Sequence, residues 1–60
     1  MKYVEITANK DSSDTVLAIA KTEEVEDFRL GVIEEDGMQQ MRMLVRDDKL
    51  QLVLDALQNL

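Results

Sequence analysis

An Asp-Gly pair between two alternating segments constrains this fold more than any other feature of the sequence. Asp36-Gly37 separates residues 28–33 from residues 38–46, and in both segments apolar and polar side chains alternate. Such a pair tolerates the positive φ angles of a tight turn, and alternation with period two is typical of half-buried strands. The pattern therefore predicts two antiparallel strands joined as a hairpin.

Alternation also assigns each hairpin residue to a face of the sheet. In the first hairpin strand, one face carries Phe28, Leu30 and Val32, and the other carries Arg29, Gly31 and Ile33. In the second, the apolar face carries Met41, Met43 and Val45, and the polar face carries Gln40, Arg42 and Arg46, interrupted by Leu44. Methionine also suits adaptable binding surfaces, but the position of Met41 and Met43 on the apolar face favours core packing.

A further strand and two helices complete the pattern. Residues 2–8 alternate between Val4, Ile6 and Ala8 on one face and Tyr3, Glu5 and Thr7 on the other. The first helix is predicted to start near Ser12 or Ser13, which are suitable capping residues, and to end near Lys21 or Thr22. Helical spacing predicts that it buries Val16, Leu17, Ile19 and Ala20.

Asp47 and Asp48 are suitable capping residues for the second helix. Its apolar stripe is predicted to contain Leu50, Val53, Leu54 and Leu57, widened by Leu52, Ala56 and Leu60.

The resulting order, β-α-β-β-α, predicts an α+β fold, a truncated ferredoxin-like split βαβ unit with a three-stranded mixed sheet and two helices on one face. We expect the first and third strands to be parallel neighbours. The helices are expected to cover Val4, Ile6, Phe28, Leu30, Met41, Met43 and Val45. A fourth strand would lie beside the first, so we expect residues 1–60 to form a single domain, the N-terminal fragment of a longer chain, whose first strand has an unpaired edge.

The composition excludes several kinds of chemistry. The 60 residues contain neither cysteine nor histidine, so the chain has no disulfide, no thiolate or imidazole metal ligand and no histidine to activate Ser12 or Ser13. The glycines Gly31 and Gly37 do not open a phosphate-binding loop. We therefore expect no enzymatic activity, no cofactor and no metal.

Charge bears on possible partners. Thirteen acidic residues against seven basic ones give a net charge of -6, which disfavours the clustered phosphate contacts of nucleic-acid binding. The acidic clusters at residues 23–27 and 34–36 lack the ligand spacing of a calcium loop, so we interpret them as solvated loop charges. No apolar run approaches the roughly 18 residues that a membrane-spanning helix needs.

Several segments resemble the N-terminal soluble domain of a bacterial and archaeal family of multi-span membrane proteins of unknown function that carry an uncharacterised hydrophobic domain. The similar segments are Lys2-Tyr3-Val4-Glu5-Ile6, Asp14-Thr15-Val16 with Ile19-Ala20, Glu26-Asp27 with Leu30-Gly31, Glu35-Asp36-Gly37, Leu44-Val45 and Leu54-Asp55-Ala56-Leu57. The resemblance implies a small ferredoxin-like cytoplasmic domain that precedes a membrane region beyond residue 60, with the full-length protein in the inner membrane. It implies no catalytic residues.

These observations lead us to expect a non-catalytic regulatory or interaction domain attached to a membrane protein. The alternatives are a small-ligand-sensing, ACT-like module, a purely structural assembly element, and an enzyme subunit that contributes the carboxylates of Glu34, Glu35 and Asp36 to the active site of a partner. The candidate interaction surface is the helix-free face of the sheet, with Tyr3, Glu5, Thr7, Arg29, Ile33 and Arg42. Arg29, Arg42 and Arg46 are candidates to hold an anionic ligand or the carboxylates of a partner. Self-association is expected through this face or through the edge of the first strand.

Overall fold

A computed structural model of the chain describes residues 1–59. The elements are β1 (Lys2–Asn9), α1 (Ser13–Thr22), β2 (Asp27–Ile33), β3 (Met38–Val45) and α2 (Leu50–Gln58). Short 3₁₀ turns precede the two helices at Lys10–Ser12 and Asp47–Lys49. This is the predicted α+β fold with its β-α-β-β-α order, consistent with a split βαβ, ferredoxin-like arrangement. Leu60, which was predicted to widen the stripe of α2, lies outside the described residues.

The sheet has the order β1-β3-β2, and β3 pairs antiparallel with both neighbours. The prediction that the first and third strands are parallel, and the sheet therefore mixed, is wrong. Because β3 follows β2 through a hairpin, it runs opposite to β2. Helix α1 returns the chain so that β2 runs in the same direction as β1, and β3 inserted between them is antiparallel to each.

Both helices pack on one face of the sheet, as predicted. The fully buried core consists of Val16 and Val53 from the helices together with Met41, Met43 and Val45 from β3. Val4, Ile6 and Phe28 are partly buried against it, as are residues that include Val25, which sequence reasoning did not place in the core. The central strand thus supplies most of the buried sheet surface.

Three residues that the sequence predicted to lie on covered faces are exposed. Leu30 is 54% exposed, Leu52 is 51% exposed and Leu54 is 36% exposed. Leu30 lies on the outer strand β2, where the ladder to β3 becomes irregular after this residue, and the two short helices do not reach it. Leu52 and Leu54 lie one position to either side of the buried Val53 on α2, so both lie at the margins of its buried face.

The hairpin turn forms where the Asp-Gly pair predicts it. The N–H of Gly37 donates to the carbonyl of Glu34 at 2.9 Å, and the Asp36 carboxylate accepts from the N–H of Met38 at 2.9 Å. Gly37 has a φ of 82°, a conformation that glycine adopts without the penalty that a Cβ atom brings.

The predicted helix caps do not form. Ser12, the residue before α1, makes no side-chain capping bond, and Asn9 instead accepts from the N–H of Asp11 at 2.9 Å. Asp47 pairs with the N-terminal ammonium at 3.0 Å and Asp48 with Arg46 at 3.0 Å. Since each helix follows a 3₁₀ turn, the residue before it already has helical torsion angles, whereas a capping side chain usually extends from a β-region backbone.

Candidate functional site

The helix-free face of the sheet, which we call the open face, presents three rows of side chains. Paired residues on neighbouring antiparallel strands point to the same side of a sheet, so the registers define each row. Tyr3 lies opposite Leu44, Glu5 opposite Arg42 and Thr7 opposite Gln40. On the other side of β3, Asp27 lies opposite Leu44 and Arg29 opposite Arg42. The structure therefore brings together five of the six residues predicted for this surface.

Arg42 lies at the centre of the open face and contacts two side chains of β1. Its guanidinium carbon lies 4.2 Å from the centre of the Tyr3 ring, a cation–π distance. Its Nε atom lies 3.7 Å from the Glu5 carboxylate, longer than a charge-assisted hydrogen bond. Arg42 is thus oriented by an aromatic ring, while its side chain stays 53% exposed.

Arg29 is the direct cross-strand neighbour of Arg42. Its Nε donates to the Asp27 carboxylate at 2.9 Å, and the side chain is 77% exposed. This hydrogen bond holds the pKa of Asp27 below its usual value and raises the pKa of Arg29. Like charges directly opposite each other destabilise a sheet, and here each arginine has one carboxylate beside it, Asp27 for Arg29 and Glu5 for Arg42.

A shallow depression of about 240 Å³ lies between the two arginines. Glu5, Gly31 and Gln40 also line it. Because Gly31 has no side chain, the backbone of β2 stays accessible there. Besides the Glu5 carboxylate and the apolar Leu30 and Met41, the depression presents two guanidinium groups and an amide, and guanidinium groups bind carboxylates strongly.

Ile33 is the predicted surface residue that does not join the others. The register between β2 and β3 shifts between Leu30 and Ile33, and Ile33 pairs with Gln39, a buried residue on the helix-covered side of the sheet. The extra residue of this β-bulge places Gly31 and Val32 together opposite Gln40 and reverses the alternation beyond it. Val32, which is 73% exposed, therefore occupies the open face where Ile33 was predicted.

Gly31 and Gln39 stabilise the bulge. A Cβ atom on Gly31 would lie 3.0 Å from the carbonyl oxygen of Gln40, so only glycine fits here without a shift of the neighbouring strand. The side-chain amide of Gln39 donates through Nε2 to the carbonyl oxygen of Gly31 at 3.0 Å. An isolated glycine within a strand pattern is a known signal for a bulge, and this signal in the sequence could have identified Val32 as a residue of the open face.

Arg46, also a candidate for anion binding, does not join the arginine pair. It lies beyond the end of β3, where its guanidinium donates to Asp48 at 3.0 Å. Within residues 1–59, no group of three or more acidic side chains is arranged to hold a metal ion. The open face is therefore the surface where positive groups of different strands meet.

The outer edge of β1 is the second candidate surface. All eight residues of β1 pair with β3 in an unbroken register from Lys2 to Asn9. In the part of the chain that the structure describes, β1 has no neighbour on its other side. Its outward-facing main-chain groups are thus free to pair with another strand.

Comparisons with protein families, with curated proteins and with solved structures find no match to this chain. The resemblance to a membrane-protein family therefore stays a prediction. None of the helices between residues 1 and 59 is long and apolar enough to cross a bilayer.

Proposed function

We propose that this chain is a non-catalytic interaction domain that binds carboxylate groups of a partner at the Arg29–Arg42 pair of its open face. The observation that supports this proposal most strongly is the placement of two exposed arginines directly opposite each other on β2 and β3. A bound carboxylate between the two guanidinium groups would further reduce the repulsion that Asp27 and Glu5 already offset in part. It would also form the charge-assisted hydrogen bonds that guanidinium groups make most strongly.

The immediate surroundings of the arginine pair agree with a binding role. The recorded hydrogen bond of Arg29 uses its Nε atom, so the terminal amino groups of its side chain remain available as donors. The Tyr3 ring orients Arg42, which lowers the entropy lost when a ligand fixes this side chain.

Local charge balance allows an anionic group to approach in spite of the net charge of -6. On the open face, Arg29 and Arg42 are matched by Asp27 and Glu5. The acidic excess of the chain therefore lies elsewhere, and part of it forms the exposed hairpin turn with Glu34, Glu35 and Asp36. The proposal retains the attachment to a membrane protein and the cytoplasmic location that the sequence resemblance implies.

Glutarate, whose two carboxylates can reach both arginines, is a suitable probe. Titration into the ¹⁵N-labelled chain should shift the amide signals of residues 29–32 and 40–42 together, with one dissociation constant. The uncharged analogue glutaramide should leave them in place. The double substitution Arg29→Gln with Arg42→Gln should abolish the shifts.

Arg46→Gln is the control for charge outside the open face, and Arg29→Gln alone, which also removes one positive charge, is the variant to compare with it. The Arg46→Gln variant should bind glutarate as the unmodified chain does. Equal shifts in the double variant, or shifts spread evenly over all basic residues, would show that glutarate binds non-specifically and would contradict the proposal. Absence of any glutarate-induced shift would leave the open face as a solvated surface of a structural element.

A further inference from the structure

The outer edge of β1 carries few of the features that prevent strand pairing, and its one inward-pointing charge lies at the first residue of the strand. Natural edges are blunted by bulges, prolines, inward-pointing charges or short length. β1 has eight residues, contains no proline and keeps an unbroken register with β3. Its helix-covered side carries Val4, Ile6 and Ala8, and only Lys2, at the very start of the strand, brings a charge to that side.

Charge also distinguishes this edge from the rest of the molecule. Residues 2–10 contain two lysines and one glutamate, whereas the whole chain has a net charge of -6. Two copies of an acidic chain repel each other, and they repel least where their own segments are not acidic. The β1 edge is therefore a surface at which two copies can approach closely.

From these observations we propose that β1 pairs antiparallel with β1 of a second copy, across a two-fold axis at Ile6. This axis sets Val4 opposite Ala8 of the other copy and Ile6 opposite Ile6, so apolar side chains meet on the helix-covered side. On the open side, Tyr3 meets Asn9 and Glu5 meets Thr7. At each end of the ladder Lys2 faces Lys10, which lies just beyond the strand, and both lysines are exposed, so their charges stay in solvent. The product is a six-stranded sheet with four helices on one face.

Neighbouring registers are less favourable. An axis at Glu5 places two glutamates directly opposite each other, which destabilises a sheet. An axis at Val4 places Lys2 opposite Ile6 on the apolar side. An axis at Thr7 places Val4 opposite Lys10, beyond the end of the strand. The arrangement is isologous, so it closes at two copies and does not extend into a fibre.

The test uses sedimentation velocity on the sixty-residue chain over a range of concentrations, with charge substitutions at Thr7. In the proposed register the Thr7 of each copy faces the Glu5 of the other, so the interface contains two such pairs. Thr7→Lys creates two attractive pairs and should lower the dimer dissociation constant about tenfold, and Thr7→Glu should raise it about tenfold. Thr7 is exposed, so neither change disturbs the core.

Matched controls are Val32→Lys and Val32→Glu, which introduce the same charges on the same face at the opposite edge of the sheet. They should leave the dissociation constant unchanged. An axis at Thr7 would instead make both Thr7 variants weaken the dimer, because like charges would then face each other, and this result would overturn the proposed register.

Two further outcomes would overturn the proposal itself. One is a chain that stays monomeric at millimolar concentration. The other is amide-exchange protection along the outer side of β1 that is the same at low and high concentration, which would mean that a segment of the same chain covers the edge. Dimerisation that responds to the Val32 variants and not to the Thr7 variants would assign the interface to β2. None of these outcomes alters the glutarate titration, so the two proposals fail separately.

Discussion

The two edges of this sheet have the same neighbour, β3, but differ in regularity. β1 follows β3 residue for residue from Lys2 to Asn9, whereas β2 keeps its register only from Asp27 to Leu30 and then bulges. A bulge twists an edge and interrupts its row of main-chain groups. The comparison shows that one edge is protected against pairing and the other is not, and the difference depends on two residues, Gly31 and Gln39.

The largest effect is expected from removal of the side chain that stabilises the bulge. Gln39→Ala removes the side-chain amide that donates to the Gly31 carbonyl. It also leaves a space where the buried Gln39 side chain was. It should lower the free energy of unfolding by about 2 kcal/mol, because a lost hydrogen bond costs about 1 kcal/mol and the loss of a buried side chain leaves a cavity that adds to this cost. Urea denaturation measures this change.

Gln40→Ala is the control for this prediction, since Gln40 is the exposed neighbour on the opposite face. It should change the stability by less than about 0.5 kcal/mol, as expected for surface substitutions. Equal losses in the two variants would mean that the bulge does not depend on the amide of Gln39.

A smaller loss is expected when Gly31 receives a side chain. Gly31→Ala places a Cβ atom about 3.0 Å from the Gln40 carbonyl oxygen, and this oxygen belongs to the backbone of the central strand. Because β2 is an outer strand, it can move by a few tenths of an ångström, so we expect a loss of about 1 kcal/mol. Urea denaturation again measures it, and an increase in stability would contradict the close contact.

The bulge also explains how far the sequence could predict the open face. Period two correctly assigned Tyr3, Glu5, Thr7, Arg29 and Arg42 because the ladder is regular on both sides of β3 up to Leu30. The same period placed Ile33 on the wrong face, since one extra residue reverses every side chain that follows. The contact between Arg42 and the Tyr3 ring depends on the register between β1 and β3, which no local pattern contains.

The strand order shows another limit of local patterns. The turn at Asp36-Gly37 is encoded by two adjacent residues and was predicted correctly. The direction of β1 relative to β3 depends on how α1 returns the chain across the sheet, which periodicity does not encode. For this reason the element order was predicted correctly and the pairing direction was not.

A gain in stability is expected where the chain enters β2. Glu24 follows α1 with a φ of 55°, and the N–H of Val25 donates to the Ala20 carbonyl at 3.0 Å, as in a Schellman motif. Glycine adopts this left-handed conformation without steric cost, so Glu24→Gly should raise the free energy of unfolding by about 0.5–1 kcal/mol. Glu23→Gly is the control, because Glu23 has a negative φ of -90°, and it should not stabilise the chain.

The smallest effect concerns the exposed ion pair at the start of β2. The hydrogen bond from Arg29 lowers the pKa of Asp27 in the folded chain, so the unfolded chain takes up this proton more readily. The resulting stabilisation is present above the pKa of the unfolded carboxyl, about 3.9, and is lost as the pH falls through the lower folded value. Asp27→Asn should therefore be less stable than the unmodified chain at pH 6. The difference between their free energies of unfolding should be smaller at pH 3.

Glu35→Gln, a change of equal charge in the exposed hairpin turn, separates the ion pair from the general relief of acidic repulsion. Urea denaturation of the three chains at both pH values distinguishes the two effects. If Asp27→Asn and Glu35→Gln change the free energy of unfolding by the same amount at both pH values, the hydrogen bond between Asp27 and Arg29 does not stabilise this edge. The regular part of β2 would then depend on its pairing with β3 alone, and the contrast with β1 would be confined to the bulge.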